Sequence, residues 1–180
     1  MTPFLLGERV YLRGLEYEDR HGDYENWFND AEICAGNSHH VYPLTDEQAW
    51  KYIQHVKNTK DDFVLAITTT DGDKHIGNVA LQNIHPVYRS ADFAIIIGEK
   101  DYWGQGYGKE AAMLMFDHGF KAMNLHRIAC ATFSNNFHMM QLALFLYMKL
   151  EGERRQGAFK DGDYVDIVEY GILREEWLNR

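Results

Sequence analysis

Five residues, Gly104-Gln105-Gly106-Tyr107-Gly108, constrain the fold more than any other stretch, because they separate an apolar strand-like run from an apolar helix-like one. Glycine lets the backbone turn through positive φ and come close to a ligand. At the start of a helix such a turn aims several backbone N–H groups at one point, where a phosphate can be held. It is not a Walker loop, since no Lys-Ser/Thr follows, and it lacks the Gly-x-Gly-x-x-Gly spacing of dinucleotide folds. On spacing alone, a purely steric tight turn stays open.

The flanking segments supply the rest of the architecture. Val10-Tyr11-Leu12 reads as a short strand, and Tyr17 to Phe28, acidic early and aromatic late, as a helix entering a loop at Asn29-Asp30. Thr45 and Gln48 form a capping box for a second helix, Asp46 to about Lys57. Phe63 to Ile67 and Ile76 to Ile84 flank Asp71-Gly72-Asp73 as a hairpin, and Ala91 to Ile97 follows as a third, antiparallel neighbour. Beyond the glycine turn, a helix from Lys109 to Ala122 precedes the strand Ile128 to Phe133. A helix of that length is a crossover, which places the later strand parallel or across a split. A helix from Phe137 to Tyr147 and two strands, Arg154 to Phe159 and Tyr164 to Ile172, joined at Asp161-Gly162, complete the order. The expectation is an α/β (α+β) fold over residues 1–180, one domain, with a mixed sheet of about seven strands and about four helices.

Composition removes several functions. No run approaches the roughly 18 apolar residues of a membrane span, and the start lacks the charged-then-apolar pattern of a secretion signal. A cytoplasmic protein without a membrane partner is expected. Cys34 and Cys130 are isolated, so neither a metal cage nor a disulfide framework is supported. The formal net charge of -9 argues against a nucleic-acid partner, which needs clustered Lys and Arg. Simple solubility accounts for the charge; an acidic acceptor cleft favouring a cationic amine is the sharper reading.

The string Glu99-Lys100-Asp101-Tyr102-Trp103-Gly104-Gln105-Gly106-Tyr107-Gly108-Lys109-Glu110-Ala111 resembles the acetyl-CoA pyrophosphate motif of the GNAT acetyltransferases. Within that superfamily it most resembles the branch of ribosomal-protein N-terminal acetyltransferases, in which a Trp often opens the motif, as Trp103 does here. Gly7 to Arg13, Asn124 to Ile128, Ser134-Asn135-Asn136, Glu151-Gly152, Lys160-Asp161-Gly162 and Gly171 to Trp177 extend the likeness over nearly the whole chain. The resemblance implies a splayed sheet with the CoA arm in the split. It also implies pantetheine pairing with the backbone of Phe93, Ala94, Ile95, Ile96 and Ile97, and pyrophosphate held by Gln105, Gly106, Tyr107, Gly108 and Lys109. Asn136 would contact the cofactor arm, although it also reads as a helix N-cap, and the two roles are compatible.

Acetyl transfer needs a neutral amine, so a protonated acceptor must lose its proton to a carboxylate or His. Asp92 stands in the apparent place of an acidic residue common in the branch, and strand alternation aims it opposite to Phe93; an exposed strand-edge Asp is the other reading. Many relatives carry a Tyr that protonates the leaving sulfur, in a pattern like Asn-x-x-Ala-x-x-Leu-Tyr-x-x-x-Gly-Phe. Counting from Asn136 without gaps puts Ala143 at the Tyr and Tyr147-Met148 at the Gly-Phe. Tyr147, one turn on, is the nearest phenol by helical geometry, as a general acid or simply as packing. Trp27, Ser38, His39 and His40 fall in the segment from which relatives build the acceptor pocket; a solvated loop is the alternative for the histidines.

These readings converge on an acetyl-CoA-dependent N-acetyltransferase that uses no metal. Its acceptor is expected to be the primary amine of a small molecule such as an amino sugar, polyamine or aminoglycoside, attacked directly in a ternary complex. The alternatives are a protein N-terminal acetyltransferase and a non-catalytic acyl-CoA sensor; a homodimer is permitted.

Overall fold

The structure, a computed structural model, describes residues 2–180. Its strands are β1 (Leu5–Leu6), β2 (Val10–Gly14), β3 (Phe63–Thr69), β4 (His75–His85), β5 (Ser90–Ile97), β6 (Arg127–Phe133), β7 (Lys149–Lys160) and β8 (Asp163–Leu173). The α-helices are α1 (Tyr24–Asn29), α2 (Asp46–Asn58), α3 (Tyr107–Lys121), α4 (Phe137–Phe145) and α5 (Arg174–Leu178). The strands form one eight-stranded sheet in the order β1-β2-β3-β4-β5-β6-β8-β7. Every neighbouring pair is antiparallel except β5 and β6, which are parallel because α3 crosses between them.

Helices cover both faces of the central strands, which explains why β3 and β4 read as nearly continuous apolar runs. Leu65 and Ile67 on β3, Val79 and Leu81 on β4 and Phe93 on β5 share one buried cluster with Ala112, Met115, Phe116 and Phe120 of α3. Burial of each large side chain there contributes about 1.5–3 kcal/mol. Phe93 meets Phe116 edge-to-face at 4.9 Å, and Gly119 lets α3 settle close, since a Cβ there would lie 2.9 Å from Leu81. On the other face, Val64, Ala66 and Ala80 cluster with Tyr24 and Trp27 of α1 and with Ala49 and Ile53 of α2.

The sheet opens between β5 and β6. These strands pair only at Ser90↔Arg127, Ala91↔Ile128 and Asp92↔Ala129. Past that point β5 stays with β4 as far as Ile97, while β6 stays with β8 as far as Phe133. The β6-facing edge of Phe93 to Ile97 is therefore left without a strand partner, which is the splay that the resemblance implied.

Several boundaries differ from the sequence reading. The helix expected from Tyr17 to Phe28 is a 3-10 turn, Tyr17–His21, followed by α1. It breaks because Asp19, a would-be helix surface residue, is buried and bound by Arg13 at 2.7 and 2.8 Å and by the Glu16 N–H at 2.8 Å. The helix expected to reach Tyr147 stops at Phe145, and β7 begins at Lys149, five residues before the expected Arg154. The strand β1 and the helix α5 are additions to the expected set.

Candidate active site

The glycine turn takes the shape its composition dictates. Gly104 and Gly106 have φ of 70° and 88°, conformations that a side chain disfavours, and Gly106 is the N-cap of α3. Gly108 needs no such freedom: a Cβ there would make ordinary contacts with Ile95 and Ile97. The first N–H groups of α3 are free of intrahelical acceptors, and Gly108 in that first turn stands beside Ile95 and Ile97 of β5. Trp103 Nε1 donates to the Ile97 carbonyl at 2.7 Å, tying the turn to the end of β5.

Arg9 adds a cation at this end of the molecule. Its guanidinium donates to the Gln105 carbonyl at 2.9 Å, pairs with Glu110 at 3.1 Å and lies 4.8 Å from the Tyr107 ring centre. Glu110 in turn accepts from the N–H groups of Glu8, Arg9 and Val10, so one carboxylate in the first turn of α3 holds the N-terminal hairpin against the glycine turn. Burial pushes the Glu110 carboxyl up, but these backbone N–H groups and Arg9 outweigh it and leave its pKa below the usual range. Sequence reading passed over Arg9 as a site residue, because its place beside Gln105 depends on a contact 96 positions away.

On the opposite side of β5, a cavity of about 280 Å³ lies under α1, α2 and the 37–44 loop. Tyr24, Phe28, Tyr52 and His39 supply its aromatic walls, Asn37, Asn78 and Gln82 its amides, and Val64, Ala80 and Ala94 to Ile96 its apolar floor. A second hollow of about 290 Å³ adjoins it, lined by Ser38, His39 and His40 among others. The loop is held at its ends, with Asn29 and Leu44 exchanging two 2.8 Å bonds. Lys160 Nζ also donates to the His39 carbonyl at 3.1 Å. The His39 ring packs on Phe28 at 4.7 Å, and burial, with Lys160 nearby, keeps its pKa below the ordinary value.

Trp27 does not line either hollow. Its ring occupies the place where a Gly98 side chain would stand, and its Nε1 donates to Glu99 at 3.0 Å. Behind the first cavity runs a polar chain that sequence reading missed. His75 Nδ1 lies 3.4 Å from Asp19, and its Nε2 lies 2.9 Å from both the Gly77 carbonyl and Asn78 Oδ1. Asn78 thus reaches the cavity with its amide oriented from behind.

Asp92 occupies the last paired rung before the split, opposite Gln82 on β4 and Ala129 on β6. Its side chain is exposed, points away from buried Phe93 onto the face that carries Gln82 and Ala94, and accepts from Asn83 Nδ2 at 2.9 Å. Asn136 is the N-cap of α4, accepting from the Met139 N–H at 3.1 Å, and it donates to the Gly36 carbonyl at 2.9 Å. Gly36 must be glycine for that approach, because a Cβ would overlap the Asn136 amide.

The end of α4 fixes where the remaining candidates lie. Ala143 is fully buried. Tyr147 follows the helix at φ 60° and is 60% exposed, its N–H donating to the Leu144 carbonyl while the Met148 N–H donates to that of Ala143, both at 3.0 Å. This is a helix-terminating loop of the kind in which the left-handed residue is usually glycine. Tyr147 lines neither hollow.

A family model described as an acetyltransferase (GNAT) domain matches residues 9–148. Among curated proteins the chain is similar to the spermidine N(1)-acetyltransferase of Escherichia coli (strain K12), 28% identical over 169 residues that cover 94% of this chain and 88% of that one. A partial likeness, 28% over 102 residues and 56% of this chain against 55% of the other, links it to the putative ribosomal N-acetyltransferase YdaF of Bacillus subtilis. The structure of the Vibrio cholerae spermidine N-acetyltransferase in complex with CoA and spermine superposes with a TM-score of 0.87, covering 96% of this chain and all of that one. At 23% identity that likeness shows a shared fold.

Proposed function

The chain belongs to the GNAT acetyltransferase family, and on that premise we propose that it transfers the acetyl group of acetyl-CoA to the primary amine of a small molecule in a ternary complex. The observation that carries this reading is the split at Asp92↔Ala129. It leaves the free β5 edge between a glycine-lined helix N-terminus on one side and an aromatic cavity on the other. The residues fit the cofactor: the open backbone of Phe93 to Ile97 suits an amide-bearing arm, and Gln105 to Lys109 with Arg9 suit a pyrophosphate. Asn136 can reach the arm only with what its cap and its bond to Gly36 leave free.

When bound, acetyl-CoA supplies an activated acyl carbon: the amine nitrogen bonds to it as the carbon–sulfur bond breaks and the sulfur leaves as thiolate. The protein's part is to deprotonate and to position. An alkyl amine titrates near 10, so near neutral pH it enters as an ammonium, and Asp92, at the junction of split and cavity face, accepts its proton directly or through water. Ala143 offers no acid to the leaving sulfur. A thiol pKa of about 8.5 makes an unassisted thiolate an acceptable leaving group.

Spermidine, the acceptor named for the relatives, belongs in the panel of amines beside amino sugars and aminoglycosides. The partial ribosomal likeness supports a second acceptor class, a protein N-terminus, and the buried Ala143 supports an acyl-CoA sensor. Acetyl-CoA consumption by the purified protein over a panel of amines and N-terminal peptides decides among them. Turnover of a small amine is expected, turnover of peptides alone supports the second class, and tight acetyl-CoA binding without turnover supports the sensor.

A further inference from the structure

No Asp, Glu, Lys or Arg lines the 280 Å³ cavity. Its polar groups are the amides of Asn37, Asn78 and Gln82, the phenols of Tyr24 and Tyr52 and the imidazole of His39. Burial and the nearby Asp62 push the Tyr52 hydroxyl up to about 12, and burial with Lys160 moves the pKa of the His39 imidazole below its ordinary value. Carboxylates close by are engaged outside the lining. Asp19 is paired with Arg13 behind His75, and Asp62 takes the Asn83 N–H at 3.1 Å and faces His55 at 3.5 Å. Along the β5 face the next carboxylate beyond the lining is Asp92, where the reacting amine belongs.

This environment discriminates among amines by charge. A polyamine or an aminoglycoside keeps further ammonium groups after one nitrogen has given up its proton. Each such group would find no counter-charge in the lining itself, since Asp62 and Asp92 stand outside it, and taking a charge out of water without a directly paired partner is unfavourable. A wholly apolar amine has the opposite fault, because it would cover the Asn37 and Gln82 amides and the Tyr52 hydroxyl without satisfying them. Hydroxyl groups on a ring whose C–H face lies against Phe28 or Tyr52 meet both requirements.

We infer that the acceptor is a monoamine carried on an uncharged, hydroxyl-bearing body, the chemistry of an amino sugar. This rests on the acetyltransferase reading and narrows it. The test compares glucosamine, spermidine, kanamycin and tryptamine as acceptors for the full chain, by kcat/KM with acetyl-CoA and by calorimetric binding to the CoA complex, so that affinity is read even where transfer is slow. Glucosamine is expected to exceed spermidine and kanamycin at least tenfold in both. Gln82→Glu, which places a carboxylate in the lining, should shift the spermidine-to-glucosamine ratio at least tenfold toward spermidine; Asn37→Asp on the loop makes the same test if that variant does not fold. Preference of the wild type for spermidine, kanamycin or tryptamine, or a ratio unmoved by an added carboxylate, overturns the inference and leaves acetyl transfer standing. Failure to bind acetyl-CoA, with no transfer to any amine, overturns the acetyltransferase reading itself.

Discussion

Asp92 and Tyr147 carry the sharpest residue-level contrast. Asp92 sits on the last rung before the split with its carboxylate exposed on the cavity face, whereas Tyr147 projects from the left-handed turn after α4 and lines no hollow. Asp92→Asn should lower kcat about 10²-fold or more near neutral pH, as loss of a general base does, and the deficit should shrink toward pH 10 as the amine loses its own proton. A pH–rate profile that the substitution leaves unchanged would move the base to His39, His40 or bound water. Tyr147→Phe should cost less than tenfold in kcat, and Tyr147→Gly should be tolerated as well, since glycine relieves the positive φ. Loss of turnover in Tyr147→Phe with acetyl-CoA affinity intact would make that phenol the acid. Ser38, His39 and His40, which the resemblance assigned to the acceptor, line the second hollow. Sequence could not assemble Tyr24, Tyr52, Asn78 and Gln82, which come from α1, α2 and β4 and meet only through sheet register and helix packing.

At the level of elements, the pieces with local signals were legible and those held by distant contacts were not. The Thr45–Gln48 box caps α2 as read, and Asp71-Gly72-Asp73 and Asp161-Gly162 make their turns with positive φ. The strand β7 was read short because it is an edge strand, mostly exposed along its length, so Lys149 to Glu153 show no apolar alternation to betray it. The 3-10 break before α1 was invisible because its cause is a bond from Arg13. The glycine turn, by contrast, announces itself. Gly106→Val forces φ of 88° on a β-branched residue and adds bulk 3.2 Å from Arg9. Calorimetry should show acetyl-CoA affinity falling at least tenfold while circular dichroism shows a folded chain; unchanged affinity in a folded variant would remove the turn from the site.

Across the whole molecule, the buried Arg13–Asp19 pair links the cavity wall to stability. Both side chains are 5% exposed. Burial alone would raise the Asp19 pKa, but the bonds from Arg13, His75 and the Glu16 N–H overcome it and hold the group far below the usual carboxylate range. A depressed folded pKa stabilises above the unfolded value of about 3.9 and loses that contribution as pH falls through and below it. Asp19→Ala, which leaves Arg13 buried and unpaired, should cost about 3–5 kcal/mol at pH 7. In urea unfolding the gap from the wild type should stay level between about pH 5 and 8 and narrow below about pH 4. A gap that does not change with pH would mean that packing, not charge, sets the loss.

Acetyl transfer itself is the most direct measurement: purified protein, acetyl-CoA and a panel of primary amines, with N-acetylated product identified by mass spectrometry and free CoA quantified alongside. The architecture predicts stoichiometric product and CoA from at least one small-molecule amine, weakened by Gly106→Val at limiting acetyl-CoA and strongly reduced by Asp92→Asn. Saturable acetyl-CoA binding with no acetylated product from any amine would contradict it and leave a protein that binds the cofactor without using it.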